Sequence, residues 1–191
     1  LTEFKKDVLD HYDCFTIAEA PLVSPQKALD YIDEEKGQID MMIQFQCVAA
    51  DCFLSDYYPL PFSLHRMKKA FSSWQTTLKD KAWNSLYIEN HDHPRILSRY
   101  GSEIFWKESG KMLAAMYLFQ QGTPFIYQGQ EIGMVNIDLP EVDDYQDVMS
   151  VNNMRTLRMM GMSQEKAEQR VRETTRGNAR TPVQWSDAPN G

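Results

Sequence analysis

Three stretches of the chain end apolar runs in side chains that can move protons or hold polar ligands. Phe15-Thr16-Ile17-Ala18 runs into Glu19 and then Ala20-Pro21. Leu86-Tyr87-Ile88 runs into Glu89-Asn90-His91-Asp92-His93-Pro94-Arg95. Pro124-Phe125-Ile126-Tyr127 runs into Gln128-Gly129-Gln130-Glu131. In parallel α/β folds the carboxyl ends of strands are where sites are built. Carboxylates placed there by two different strands can face each other across a cleft, and two carboxylates flanking one bond are what glycosidic cleavage needs. One of them must hold a proton at neutral pH, which a partly apolar setting allows. Glu19, flanked by Ala18 and Ala20, suits that acid. Asp92, between two histidines in a polar stretch, suits a permanently ionised role.

The same residues have plainer roles open to them. Glu19 could hold a loop or pair with Arg95. Alternate histidines on an extended segment point the same way, so His91 and His93 could share a metal ion. No further His or Cys sits at a suitable spacing, and no metal site is expected here. Asp92, just ahead of Pro94, also fits a helix N-cap. Glu131 fits the holding of a loop by hydrogen bonds. Trp74, Trp83, Trp106 and Tyr117 read as core, and Met159, Met160 and Met162 as packing filler.

The elements that must position these residues alternate regularly. Leu1–Tyr12 has helical spacing, with Phe4, Val8 and Leu9 on one face. Cys14–Ala18 reads as a strand. Ser24-Pro25 starts a helix through about Glu35, with Ser as cap and Pro in the first turn. Asp40–Phe45 reads as a second strand, followed by a loop and a helix over 63–78. Ser85–Ile88 is a third strand. Ser102 is expected to cap a long helix to Gln121, ended by Gly122. Thr123–Tyr127 is a fourth strand. Two helices, Asp143–Met160 and Ser163–Thr175, split at Gly161, and a polar tail starts at Arg176. Such alternation means right-handed βαβ units and a parallel sheet. Periodicity alone leaves an open doubly wound sheet and half of an eight-stranded barrel equally open.

The 191 residues carry a net charge of −7, with 42% hydrophobic and 25% charged. That excludes a disordered chain, and no apolar run approaches the ~20 residues of a membrane span. The acidic balance argues against a nucleic-acid partner, which would want a basic stripe. Cys14, Cys47 and Cys52 are too few for a disulfide framework and lack zinc spacing, so reduced thiols in a cytoplasmic protein are expected. The chain opens at Leu1 in mid-helix and stops at Pro189-Asn190-Gly191, as expected of a fragment.

Together the motifs 15–21 and 89–95, and Gly122-Thr123-Pro124-Phe125-Ile126-Tyr127-Gln128-Gly129-Gln130-Glu131-Ile132-Gly133-Met134, closely resemble the α-amylase family of glycoside hydrolases. Within it they are most similar to the oligo-1,6-glucosidase and α-glucosidase branch. Trp83-Asn84-Ser85-Leu86-Tyr87 and Gly177-Asn178-Ala179-Arg180-Thr181-Pro182-Val183-Gln184-Trp185 point the same way. The resemblance covers essentially residues 1–191. It implies an α/β fold, a TIM (β/α)₈ barrel, with this chain as its C-terminal half, strands five to eight. It implies that Glu19 is the general acid/base and Asp92 the carboxylate that stabilises the transition state. His91 would donate a hydrogen bond to the sugar, with Arg95 beside it. The family's nucleophile, an aspartate on the fourth strand, and its usual calcium loop would lie upstream, so no cofactor is expected in this chain. The activity implied is hydrolysis of α-glucosidic bonds in short oligosaccharides, of the α-1,6 isomaltose type, by a retaining double displacement. Sucrose isomerases, transglucosidases and trehalose-6-phosphate hydrolases share these motifs. The rival from another class is a non-catalytic relative such as the ectodomain of a transporter subunit, which would normally lose Glu19 or Asp92 and carry a membrane helix; both carboxylates and His91 are kept here. Two departures stand out: Ala18 where the family usually has Gly, and His93 where Gln is common. An isolated half-barrel would be inactive, and its two open sheet edges invite self-association.

Overall fold

All four anticipated strands are present, each shorter than its apolar run. The computed structural model describes residues 1–53, 55–137 and 147–188. Strand β1 is Ile17–Glu19 and β2 is Met41–Ile43; the hairpin β3 (Cys52–Phe53) and β4 (Ser55–Pro59) follows; β5 is Ser85–Leu86 and β6 is Thr123–Pro124. The described residues fall into two units, one built from Leu1–Ala50, Ser63–Tyr87 and Tyr117–Phe125, the other from Asp51–Phe62, Ile88–Met116 and the chain from Ile126 onward.

The first unit holds the parallel strands. Ile17 lies opposite Met41 and Glu19 opposite Ile43, while Ser85 lies opposite Thr123 and Leu86 opposite Pro124. The Ser85 hydroxyl donates to Met42 O at 2.7 Å and joins β5 to β2. β1 pairs with β2 and β5 with β6, each in parallel, and the Ser85 contact sets β5 beside β2, which gives the neighbour order β1, β2, β5, β6. Helix α2 (Pro25–Ile32) starts as expected, because Ser24 Oγ accepts the Lys27 N–H at 3.2 Å. Helix α3 (Leu64–Leu78) buries Met67, Phe71, Trp74 and Leu78, an i, i+4, i+7, i+11 stripe. Trp74 is fully buried and gives its indole N–H to Gln46 Oε1 at 2.9 Å. Gln26 on α2 donates to Thr77 Oγ1 on α3 at 3.1 Å. The expected helix over Leu1–Tyr12 breaks into α1 (Thr2–Asp7) and a single 3₁₀ turn at Leu9–His11. Phe4 and Val8 stay exposed, and a helix this short does not propagate without a buried face.

In the second unit, the long helix expected from Ser102 starts later, as α5 (Trp106–Leu118), and a short helix α4 (Ile96–Tyr100), which was not anticipated, precedes Ser102. Gly101 stops α4, its N–H going to Leu97 O at 2.9 Å, and Ser102 N donates to Ser109 Oγ at 2.9 Å. Helices α6 (Val148–Met159) and α7 (Gln164–Thr174) split at Gly161, whose φ of +88° is the left-handed turn that glycine favours. Leu157, Ala167 and Val171 form their core, with Tyr58, Met154 and Met162 against it. Asp147 caps α6 by accepting Ser150 N–H at 3.2 Å; positions 143–146 of the expected helix lie outside the described residues. Met159 and Met160 are exposed rather than filling the core. Trp74 and Tyr117 are buried as read, whereas Trp83 and Trp106 lie at the surface. Their indole N–H groups reach Thr123 Oγ1 and Gly133 O, the use a half-buried tryptophan finds for its polar end. Among the described residues no helix is long and apolar enough to cross a membrane.

Candidate active site

Glu19 is the last residue of β1. Strand pairing carries it to that end: Asp40 Oδ2 takes Thr16 N–H and the Thr16 hydroxyl at 2.7 and 2.6 Å where β1 begins, and Ala20 N donates to Ile43 O at 3.1 Å where it ends. The glutamate is exposed. Ala18 and Ala20 do not shelter it, because side chains adjacent on a strand point to opposite faces. This corrects the expectation of an apolar pocket formed by its neighbours. Among the described residues no ion pair or side-chain hydrogen bond engages the Glu19 carboxylate.

Asp92 sits in the loop that follows β5, which Asn90 shapes by accepting Asp92 N–H on its side-chain oxygen at 2.9 Å. It does not cap α4. The first amide of that helix, Ile96 N, goes instead to Glu89 Oε2 at 2.7 Å. The Asp92 carboxylate is held from one side. Its Oδ1 accepts Arg176 Nη1 at 3.1 Å and Arg180 Nη2 at 2.8 Å. Its Oδ2 lies 3.3 Å from His91 Nε2. Arg180 also donates Nε to His91 O at 2.8 Å, so one guanidinium fixes both the backbone and the carboxylate of the His91-Asp92 pair. The His91 side chain is 58% exposed and Asp92 32%, so both face outward. His93 is buried and does not.

Behind this loop Arg95 is fully buried. Its Nη1 donates to Glu89 Oε1 and to Gln128 O, both at 2.8 Å, and its guanidinium carbon lies 5.4 Å from the centre of the Tyr127 ring. Burial pushes Glu89 above the usual carboxylate range, against the opposing pull of Ile96 N–H and Arg95. This pair ties the loop after β5 to the loop after β6. Gly129 permits the close approach: its φ is +87°, and a Cβ there would collide with Met134 Sδ and stand 3.2 Å from Arg95 Nη1. Glu131 holds the same loop, as read, by accepting Gly129 N–H at 2.8 Å. Tyr127 OH donates to Ala179 O at 2.9 Å, and Asn178 Oδ1 accepts Ile137 N–H at 3.2 Å.

Residue-by-residue inspection of the sequence missed Arg176, Arg180 and Asp147. In sequence Arg176 and Arg180 read as the start of a polar tail; the available signal is their position around Gly177-Asn178, which forms a 3₁₀ turn at Arg176–Ala179 and presents both arginines toward Asp92. Asp92 thus has its Oδ1 engaged by two arginines and its Oδ2 on the His91 side, while Glu19 ends its strand with no fixed cation among the described residues. Among the described residues, no group of three or more His, Cys, Asp or Glu could hold a metal ion.

The family model described as "Alpha amylase, catalytic domain" matches residues 1–191. The oligo-1,6-glucosidase of Halalkalibacterium halodurans is 40% identical over 193 residues, covering 100% of this chain and 34% of that protein. The crystal structure of Bacillus licheniformis trehalose-6-phosphate hydrolase superposes with a TM-score of 0.88 at 35% identity, over 97% of this chain and 34% of that one. The isomaltulose synthase of Klebsiella sp. LX3 gives a TM-score of 0.91 at 29% identity, over 98% of this chain and 34% of that one. The chain thus spans about a third of the length of the relatives it matches. The neighbour order β1, β2, β5, β6 is accordingly part of a (β/α)₈ barrel. Strand order, motifs and likeness converge, and this chain belongs to the α-amylase family of glycoside hydrolases.

Proposed function

We propose that the intact protein hydrolyses α-glucosidic bonds in short oligosaccharides, with the isomaltose-type α-1,6 linkage as the preferred one. The carrying observation is Asp92: two arginines occupy its Oδ1, and Oδ2 is left on the outward His91 side. A carboxylate so oriented can accept hydrogen bonds from sugar hydroxyls as a positively charged transition state develops. Glu19 acts as general acid, then as base, in a double displacement. An aspartate supplied from outside this chain attacks the anomeric carbon while Glu19 protonates the leaving oxygen; water then resolves the covalent intermediate. Arg95 does not touch sugar in this reading, because Glu89 and Gln128 engage it in the interior; it positions the His91-Asp92 loop. The chemistry draws on no redox cofactor. The free thiols Cys14, Cys47 and Cys52 support a reducing, cytoplasmic compartment.

A second reading is favoured by the solved structures of similar fold, whose names cover a trehalose-6-phosphate hydrolase and an isomaltulose synthase. It keeps the carboxylates and changes the acceptor or the aglycone. The discriminating experiment presents isomaltose, maltose, sucrose and trehalose 6-phosphate separately to the intact protein. Glucose release mainly from isomaltose is expected. Conversion of sucrose to an isomer, or cleavage of trehalose 6-phosphate alone, would move the assignment to the second reading.

A further inference from the structure

Arg176 spends most of its hydrogen-bonding capacity away from Asp92. Its Nε and Nη2 both donate to Oδ1 of Asp147, at 3.0 and 2.7 Å, and Nη1 alone reaches Asp92. Double donation to one carboxylate fixes the plane of the guanidinium. Asp147 is fixed in turn. Its Oδ2 accepts the Ser150 N–H at 3.2 Å and the Ser150 hydroxyl at 3.4 Å. Ser150 Oγ lies 2.6 Å from Thr175 Oγ1, and both residues are fully buried. Thr175 immediately precedes Arg176 and takes Gly177 N–H at 3.1 Å. The contacts close a ring, from Asp147 through Ser150, Thr175 and Arg176 back to Asp147.

The ring also sets a charge balance. Asp92 and Asp147 face Arg176 and Arg180, so the cluster is neutral with His91 uncharged. Without Asp147 it would carry one net positive charge beside the place where the sugar becomes cationic. Burial opposes the ionised form of Asp147, but the Arg176 hydrogen bonds and charge outweigh it and hold the carboxyl below its ordinary range. The same contact raises Arg176. Both groups stay charged at neutral pH.

We propose that Asp147 is a positioning residue for the glycosidic reaction: it fixes Arg176 on Oδ1 of Asp92 and cancels the guanidinium charge that would otherwise oppose an oxocarbenium-like transition state. This rests on the reading of Asp92 as the carboxylate that stabilises that state. The effect acts on the transition state and not on the neutral substrate, so it belongs in kcat rather than KM.

The test uses the intact enzyme. Asp147→Asn removes the charge and keeps a good N-cap for α6, so the variant keeps its fold. Asp147→Ser, which caps through its hydroxyl, is the second variant. Both are expected to lower kcat on isomaltose on the order of 10-fold, the effect of a unit charge at this range, with KM within about twofold. Affinity for deoxynojirimycin, a cationic sugar mimic, falls by a similar factor while affinity for neutral glucose does not. Because Asp147 acts through Arg176, the double variant with Arg176→Gln loses no more than Arg176→Gln alone. Wild-type kcat and unchanged deoxynojirimycin affinity in both Asp147 variants would overturn the proposal. So would a loss explained entirely by a smaller folded fraction in a thermal melt. Asp92→Asn is measured alongside: if it retains full activity the reading of Asp92 itself fails, whereas an inactive Asp92→Asn with unaffected Asp147 variants sinks only the positioning role.

Discussion

Glu19 closes a parallel strand and stands exposed, with no fixed cation among the described residues, whereas Asp92 sits in a loop and is gripped by Arg176 and Arg180. The strand end depends on backbone pairing: register with β2 and the Asp40–Thr16 contacts decide where Glu19 emerges. The loop has no ladder, and side chains do the positioning instead. The difference matches what each carboxylate must do in the proposed mechanism. A group that gives and recovers a proton cannot be held by a permanent cation, which would lock it ionised. A group that must remain negative benefits from such a hold.

The largest expected effect breaks the comparison at its chemistry. Glu19→Gln and Asp92→Asn in the intact enzyme should each lower turnover of isomaltose by about 10²–10⁴-fold. They should part company on an aryl glucoside whose leaving group needs no protonation. Glu19→Gln regains most of its first step there, and Asp92→Asn does not. An equal response of the two would mean that Glu19 is not the acid.

A second variant sharpens the structural side. Glu89→Gln leaves Arg95 charged and buried without its counter-ion, at a cost of about 3–5 kcal/mol. Glu19→Gln, exposed at the strand end, should change stability by less than about 0.5 kcal/mol. Urea denaturation of the intact protein reads both. A small loss for Glu89→Gln would show that the loop after β5 does not depend on the buried pair.

The smallest effect concerns pH. Asp51 is buried immediately before β3, with Arg99 donating to both of its carboxylate oxygens and Tyr100 OH donating at 2.8 Å. Burial alone would raise it, but these donors hold it below its ordinary range. Its folded pKa is therefore depressed. The stability it contributes is present above the unfolded value near ~4 and is lost as pH falls through the folded one. Asp51→Asn should flatten that part of the acid limb of an unfolding-versus-pH curve and leave the neutral plateau lower. The same acid slope in both proteins would count against the ion pair.

The helix starts at Ser24 and Ser163 were legible in sequence because a cap bonds a backbone amide three residues on, a contact set by local geometry alone. The α3 stripe was legible for a similar reason, since spacing decides a helix face. The hairpin β3–β4 was not, because a two-residue strand carries no period to read. The cap role offered to Asp92 went to Glu89, and local spacing gave no warning: both candidates lie within a few residues of Ile96. Burial settled it, because the interior beside Arg95 needs a counter-charge and the exposed loop does not.

The amino-acid order alone determined the strand–helix alternation, the faces of the helices, the capping serines and the presence of carboxylates at strand ends. Those features follow from contacts within a few residues. Only the tertiary structure decided which cations meet which carboxylates. Arg176 lies 84 positions from Asp92 and 29 from Asp147, and a separation of that size is bridged by the path of the folded chain, which no local pattern records.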